Sequence, residues 1–354
     1  MIDKILKLAR PDIVGLKAYC SAKREGVVGD IYLNANENPY KKPSIERLNR
    51  YPDPQPKLLR SLLSGLYGVN DNEVLLTRGA DEGIDLIIRA FCRAGIDSIM
   101  ICPPTYDMYS VSARVQNSQV LEVPLLANEF SLNIEAIYTG WQKTCKIIFI
   151  CSPNNPTGNC LDADEILKLC KALEEKCLIV IDEAYIEFSD QASLAKYLNE
   201  YSNLVVLRTL SKAYGLAGVR CGAVLAHRNI ISLLETIIAP YPISCLVEDI
   251  VVEELSGQNM SNIQSQINEI ISQRESMLGF LKKLPFVRYV WPSQANFILI
   301  KIDDAKNVIN HCAKHKVIIR NRSNMHGLDN CIRISVGLPD ENVYLKETLL
   351  GLCK

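Results

Sequence analysis

The sequence lacks a surplus of either charge: 39 Lys and Arg stand against 40 Asp and Glu, a formal net charge of -1 over 354 residues. That excludes the strongly basic surface with which proteins hold nucleic acid or anionic membranes. The opening stretch "MIDKILKLARPDIVGLKAY" has no apolar run long enough for a signal-peptide core or a membrane span, because Lys and Arg interrupt it. A cytoplasmic protein is expected. No Cys-x-x-Cys occurs among the 13 cysteines, an odd number, and many sit in apolar runs such as "SIMIC" and "IIFIC". They read as reduced thiols packed as small hydrophobes, with no disulfide or zinc framework. His311 and His315 share a helix face but lack a third metal ligand. Neither Gly-x-x-x-x-Gly-Lys-Ser/Thr nor Gly-x-Gly-x-x-Gly is present, which leaves out a Walker phosphate loop and a dinucleotide fingerprint.

What is present is an alternation. From Glu73 to about Ile238, the runs "EVLLT", "SIMIC", "KIIFIC", "LIVID", "LVVLRT" and "CGAVLA" read as strands, several apolar throughout. Such runs suit a mainly parallel sheet covered on both faces. Between them "DEGIDLIIRAFCRA" and "DADEILKLCKALEEK" have helical spacing and acidic first turns. The fold class expected is α/β, a large doubly wound, mainly parallel sheet domain. After "APYPIS" a helical tract runs from about Ser244 to Leu284, followed by strand-like "ANFILIKI", "KVIIRN" and "CIRISVG" around the helical "DAKNVINHCAKH". These read as a smaller α+β domain. The expected division is an N-terminal arm at 1–29 associated with the small domain, a large domain at 30–238 and a small domain at 239–354.

In open α/β sheets ligands bind beyond the carboxyl ends of the strands, so the residues there carry most information. After "EVLLT", "RGADEG" turns into a helix through Gly79 and Ala80, leaving N–H groups suited to a phosphate; a tight turn with an acidic cap reads equally well. "PPTYDMY" delivers Tyr106, which can stack on a planar ring or simply pack. "SPNNPTGN" holds an amide, Asn155, at the same edge. Asp182 ends the buried run "LIVID" and needs a cationic or N–H partner, in a structural ion pair or at a ligand. "RTLSKAYGLAGVRCG" places Lys212 among Thr209, Ser211 and Arg220, with Gly215, Ala217 and Gly218 as room for the chain to bring Arg220 back to an anion. Together these describe a seat for a planar, phosphorylated, nitrogen-containing ring that reacts through a lysine amine. Pyridoxal 5'-phosphate fits it.

"SPNNPTG", "DEAYIEF" and "TLSKAYGLAGVRCG", in this order and at these intervals, resemble the fold-type I pyridoxal-phosphate aminotransferases. "YLNANENPY", "RYPDPQP" and "VGLKAYCSAKRE" extend the resemblance over nearly the whole chain. It implies that Lys212 bonds covalently to the cofactor and shuttles a proton, that Asp182 pairs with the ring nitrogen, and that Tyr185 and Asn155 hold the ring hydroxyl. It implies further that Tyr106 stacks on the ring, and that Thr209, Ser211 and Arg220 hold the phosphate with the amides of Ala80 and Asp81 after Gly79. Tyr51 would reach the cofactor phosphate of a neighbouring subunit, making a homodimer with a shared site. Arg333 would take the substrate carboxylate, with Arg320 as second clamp and Tyr19 and Asn36 nearby. The implied reaction is ping-pong amino transfer between small molecules, glutamate and 2-oxoglutarate as one pair, L-histidinol phosphate and imidazole acetol phosphate as the other. An aromatic amino-acid aminotransferase, a threonine-phosphate decarboxylase and a cofactor-binding regulator without chemistry are the alternatives. The regulator would need a DNA-binding module, for which the arm leaves no room.

Overall fold

Seven strands form the central sheet: β1 (Val74–Thr77), β2 (Ser98–Ile101), β3 (Gln119–Glu122), β4 (Cys145–Cys151), β5 (Leu178–Asp182), β6 (Leu204–Thr209) and β7 (Gly222–Ala226), in the order β1-β7-β6-β5-β4-β2-β3. The computed structural model describes residues 4–17, 19, 29, 31–41, 47–127 and 129–353. β3, β2, β4, β5 and β6 run parallel, whereas β7 is antiparallel to both β6 and β1. The continuous apolar runs are explained by burial on both faces. Ile179 and Ile181 of β5 lie in one core, and Leu178 and Val180 in the other. β3 was not anticipated, since "QVLE" lies at the sheet edge with only its middle residues partly buried and carries no alternation.

A second sheet joins β8 (Val287–Val290), β9 (Phe297–Ile302), β10 (Arg320–Asn321) and β11 (Cys331–Ser335) in the antiparallel order β10-β11-β9-β8. Here alternation decides everything. Ile298, Ile300, Ile302, Ile332 and Ile334 point into the small domain's own core, while Phe297, Leu299 and Cys331 point into the core of the large one. Arg333, two residues from Cys331 on β11, therefore faces the large domain.

Three expectations change. The arm was placed on the small domain, yet Ile5, Leu8 and Ala9 are buried in the large domain's core with Ile84, Ile231 and Leu234; Arg10 N–H also donates to Ala90 O at 2.9 Å. An amphipathic segment follows the nearest open apolar surface, here the helices Ala80–Phe91 and Arg228–Ile237. The helical tract is two helices, Cys245–Glu254 and Gly257–Leu281, separated at Leu255 and Ser256. The second bridges the domains: Ile263 and Ile267 belong to the large core, Met277 and Leu281 to the small one, so no boundary falls cleanly at 239. Finally, "KVIIRN" contributes only Arg320 and Asn321 to a strand, and Ile318 is exposed.

Candidate active site

The carboxyl ends of β4, β5 and β6 and the start of the helix Ala80–Phe91 surround a cavity of ≈ 240 Å³, closed on its far side by Arg322 and Arg333 of the small domain. It is the one place where most of the singled-out residues meet: Ala80, Asp81, Tyr106, Asn155, Asp182, Tyr185, Thr209, Ser211, Lys212, Arg220 and Arg333 all line it.

Asp182 ends β5 and is 3% exposed. Its carboxylate accepts hydrogen bonds from the Tyr109 hydroxyl at 2.7 Å and the Ala184 N–H at 3.1 Å. The partner expected for it is thus an N–H together with a hydroxyl. Burial raises its pKa above the ordinary carboxylate value, the two hydrogen bonds opposing this incompletely. A positive group brought into the cavity would relieve that penalty.

At the other end the polar groups form a connected chain of hydrogen bonds. The Thr209 hydroxyl donates to Ser211 Oγ at 3.0 Å, the Ser211 N–H donates back to Thr209 Oγ1 at 3.2 Å, and Arg220 Nη1 donates to Ser211 Oγ at 3.3 Å. Arg220 Nη2 lies 3.7 Å from Asp81 Oδ2, and Nη1 also donates to Ala217 O at 3.1 Å. The helix Ala80–Phe91 begins here with unpaired N–H groups, which favour an anion. Gly79 has φ +82°, and a Cβ on it would stand 2.6 Å from Arg220 Nη2. Gly222, paired with Thr77 across the sheet, is more confined still: a Cβ there would meet Arg208 O and Gly79 C, both at 2.8 Å.

The turn that returns Arg220 rests on one of the two glycines expected there, and not on the other. Gly215 has φ +69° and does need a glycine's backbone, but Gly218 has open space around it. Arg220 itself takes the left-handed conformation, φ 59°.

Lys212 Nζ stands 5.8 Å from the centre of the Tyr185 ring. The side chain lines the cavity and the residue is exposed, so small molecules reach it. Burial, then repulsion by Arg333, lowers its pKa below the ordinary lysine value, with Asp182 and Asp81 pulling the other way. The Tyr185 hydroxyl accepts from Asn155 Nδ2 at 3.3 Å, and burial pushes its pKa up. Tyr106 donates to Asp81 Oδ1 at 3.0 Å and sets its ring edge-on to Tyr109. Arg333 crosses the domain gap: its Nη1 donates to Asn155 Oδ1 at 2.6 Å, while its guanidinium lies 5.1 Å from the Phe297 ring centre.

Four expected residues lie elsewhere. Tyr51 is half exposed and stacks on Tyr241 with ring centres 4.5 Å apart. Tyr19 is exposed, and neither it nor Asn36, at φ 54°, lines the cavity. Arg320 pairs in register with Arg333 but opens into a neighbouring ≈ 880 Å³ cleft. Arg322, two residues on, reaches the cavity in its place. Sequence reasoning missed Arg322 and Tyr109. The signal for Tyr109 was available, because "PPTYDMY" offers a second hydroxyl to a buried carboxylate that needs a donor. Beneath the cavity the buried Arg208 bridges Glu183 at 3.4 Å and Glu187 at 2.6 Å, tying together the backbones next to Asp182 and Thr209.

The model of the family "Aminotransferase class I and II" matches residues 18–345. A histidinol-phosphate aminotransferase of Buchnera aphidicola subsp. Schizaphis graminum is 41% identical over 352 residues, 99% of either chain. Another, of Buchnera aphidicola subsp. Cinara cedri, is 45% identical over 328 residues, covering 91% of this chain and 92% of that one. The crystal structure of the histidinol-phosphate aminotransferase from Clostridium acetobutylicum superposes with a TM-score of 0.79 at 25% identity, over 86% of this chain and 91% of the other. The chain belongs to the aminotransferase class I and II family, whose members are pyridoxal-phosphate enzymes.

Proposed function

We propose that the protein transfers the amino group between L-histidinol phosphate and 2-oxoglutarate, with pyridoxal 5'-phosphate seated in the ≈ 240 Å³ cavity. The observation that carries this is similarity, over nearly the entire length, to histidinol-phosphate aminotransferases, at 41% and 45% identity.

The residues present fit the cofactor. The N-terminus of the helix Ala80–Phe91, Thr209, Ser211 and Arg220 supply donors for a phosphate at one end. Asp182, a buried carboxylate short of positive partners, suits a protonated ring nitrogen at the other. Tyr185 and Asn155 would meet the ring hydroxyl, Tyr106 the ring face. When bound, pyridoxal 5'-phosphate supplies an electron sink for the charge that develops at the substrate Cα.

The chain's own residues do the rest. Lys212 Nζ, its proton affinity reduced by burial and Arg333, takes the Cα proton as general base and returns it as general acid. Tyr109 keeps Asp182 aimed into the cavity through its 2.7 Å hydrogen bond. Arg333 supplies a fixed cation for the substrate's anionic group, and the Asn155 bond holds it in place beforehand.

A homodimer belongs to this reading. Ile31, Leu33, Tyr40, Leu48 and Tyr51 leave a run of apolar side chains exposed, and Leu246 and Ile250 add one turn of the helix Cys245–Glu254. Exposure of this kind favours a protein interface, and it would carry Tyr51 to a neighbouring subunit. The described cysteines are all free thiols and no described helix is long and apolar enough to cross a membrane, in keeping with a cytoplasmic enzyme.

The test is the half-reaction of the purified, cofactor-loaded protein with L-histidinol phosphate, followed by its visible spectrum. Rapid bleaching is expected, and amino transfer from glutamate to imidazole acetol phosphate should exceed transfer to phenylpyruvate. A preference for phenylpyruvate of about tenfold in kcat/KM, about 1.4 kcal/mol, would overturn the substrate assignment.

A further inference from the structure

We propose that the protein has a second small-molecule site, away from Lys212, which takes a planar aromatic monoanion of the aryl carboxylate class. The site is a pocket of ≈ 500 Å³ between the two domains, a size common among small-ligand sites. Pro104 and Phe130 come to it from the large domain, and Tyr289, Trp291, Lys301 and His326 from the small one. None of its lining residues lines the ≈ 240 Å³ cavity. The ≈ 880 Å³ cleft separates the two, meeting the pocket at Pro104 and His326 and the cavity at Tyr106 and Arg322.

Alternation along β8 and β9 builds the small-domain side. Val290 turns into the small domain's own core, so Tyr289 and Trp291 turn to the opposite face, and Trp291 packs on the large core. Lys301 pairs with Tyr289 in register and lies between Ile300 and Ile302, both buried in the small core. It therefore shares the face of the two aromatic residues. The ring centres of Tyr289 and Trp291 are 4.9 Å apart, and those of Trp291 and Phe130, across the domain gap, 5.4 Å. These three rings make one continuous wall, and yet Tyr289 is left 51% exposed.

Phe130 is held there against its backbone preference. It takes the left-handed conformation, φ 53°, which a bulky side chain disfavours. Its N–H donates to Leu126 O at 2.9 Å, and Asn159 Nδ2 donates to its carbonyl at 3.1 Å, so the turn is fixed from both sides. Glycine or asparagine would serve that turn with less strain. What phenylalanine adds is the ring against Trp291.

The charged lining has one sign. Arg288, Lys301 and His326 border the pocket, and no carboxylate among the described residues does. Arg288 is committed to Asp303, its Nη2 donating to Oδ2 at 2.8 Å. Lys301 is exposed and makes no ion pair among the described residues. One uncommitted ammonium beside an aromatic wall matches one negative charge on a flat ring. A small anion without a ring would leave the wall uncovered, and a neutral ring would leave the ammonium unmatched.

The test is calorimetric titration of the cofactor-loaded protein with 2-naphthoate. One site per chain is expected, with the neutral 2-naphthylmethanol bound at least about tenfold more weakly. Lys301→Glu changes an exposed side chain outside the reaction cavity, so turnover should stay as it is while 2-naphthoate affinity falls at least about tenfold. Lys301→Arg keeps the charge and should keep the binding. Tyr289→Ala, also at an exposed position, should weaken both ligands alike. Arg333→Gln should leave 2-naphthoate affinity unchanged, because that arginine borders only the reaction cavity. Absence of binding at millimolar 2-naphthoate, or equal affinity for the alcohol, would overturn the inference. So would 2-naphthoate that competes with glutamate and responds to Arg333→Gln but not to Lys301→Glu, since it would then sit in the reaction cavity. Every arm reads binding, so the outcome does not depend on which amino group the enzyme transfers.

Discussion

The two walls of the cavity differ in how their polar groups are satisfied. On the large-sheet wall Asp182 has two donors, Thr209, Ser211 and Arg220 bond one another, and Tyr106 bonds Asp81. On the small-sheet wall Arg322 and Arg333 keep buried Nε atoms without partners, and the wall meets its counterpart through the Arg333–Asn155 bond and the 3.8 Å Arg322–Asp107 pair. The first wall is organised before any ligand arrives, as a permanently held cofactor requires. The second keeps unused binding capacity, which suits substrates that must enter and leave twice per cycle.

Breaking the organised wall should have the largest effects. Lys212→Ala removes the base and the covalent anchor together, so turnover should fall by at least about 10⁴-fold and the visible cofactor band should vanish. A retained band would mean that another amine holds the cofactor. Asp182→Ala should keep some cofactor but lose about 10²–10³-fold in kcat, the scale for removing one preorganised charge interaction. Normal turnover in that variant would show the pairing to be misassigned. Tyr109→Phe tests the hydroxyl that sequence reasoning overlooked. Losing one hydrogen bond to a charged group costs about 1.5–3 kcal/mol at most, and part of it should surface as a loss of about tenfold in kcat; a change below twofold would make Tyr109 mere packing.

Smaller effects sharpen the account of the turns around Arg220. Gly222→Ala places a methyl 2.8 Å from two backbone atoms and should cost about 1–3 kcal/mol in urea unfolding, whereas Gly218→Ala has open space and should stay within about 0.5 kcal/mol. Equal costs would mean that the turn, and not the close approach of β7 to Gly79, limits this region. The smallest expected change is a shift of a pH profile. Uptake of cofactor by the apoenzyme needs neutral Lys212, so its rate should rise with pH and level off below the range where an ordinary lysine titrates. Arg333→Gln removes a like charge, which raises the Lys212 pKa and moves that limb to higher pH. A shift to lower pH would contradict the coupling of the two walls.

Most of the organised wall was legible because its residues are local. Lys212, Thr209, Ser211 and Arg220 lie within one turn of chain, and Asp182 announces itself as a carboxylate closing the apolar run "LIVID". The other wall was not. Arg320 and Arg322 are alternate residues of one extended segment, and nothing in "VIIRNR" says which will reach across a domain gap. The N-terminal arm failed for a related reason, since its apolar positions indicate burial without indicating against which core.

The sequence by itself determined the strand ends that carry the cavity-lining residues, through apolar runs that can only be buried on both faces and polar residues that terminate them. Tertiary structure decided which hydroxyl reaches Asp182, which glycine admits β7 to the turn at Gly79, and which arginine of the small domain lines the cavity with Lys212. These choices depend on separations of a few ångströms between segments distant in the chain. Local spacing fixes the direction of a side chain along its own strand but not the surface that packing brings opposite to it.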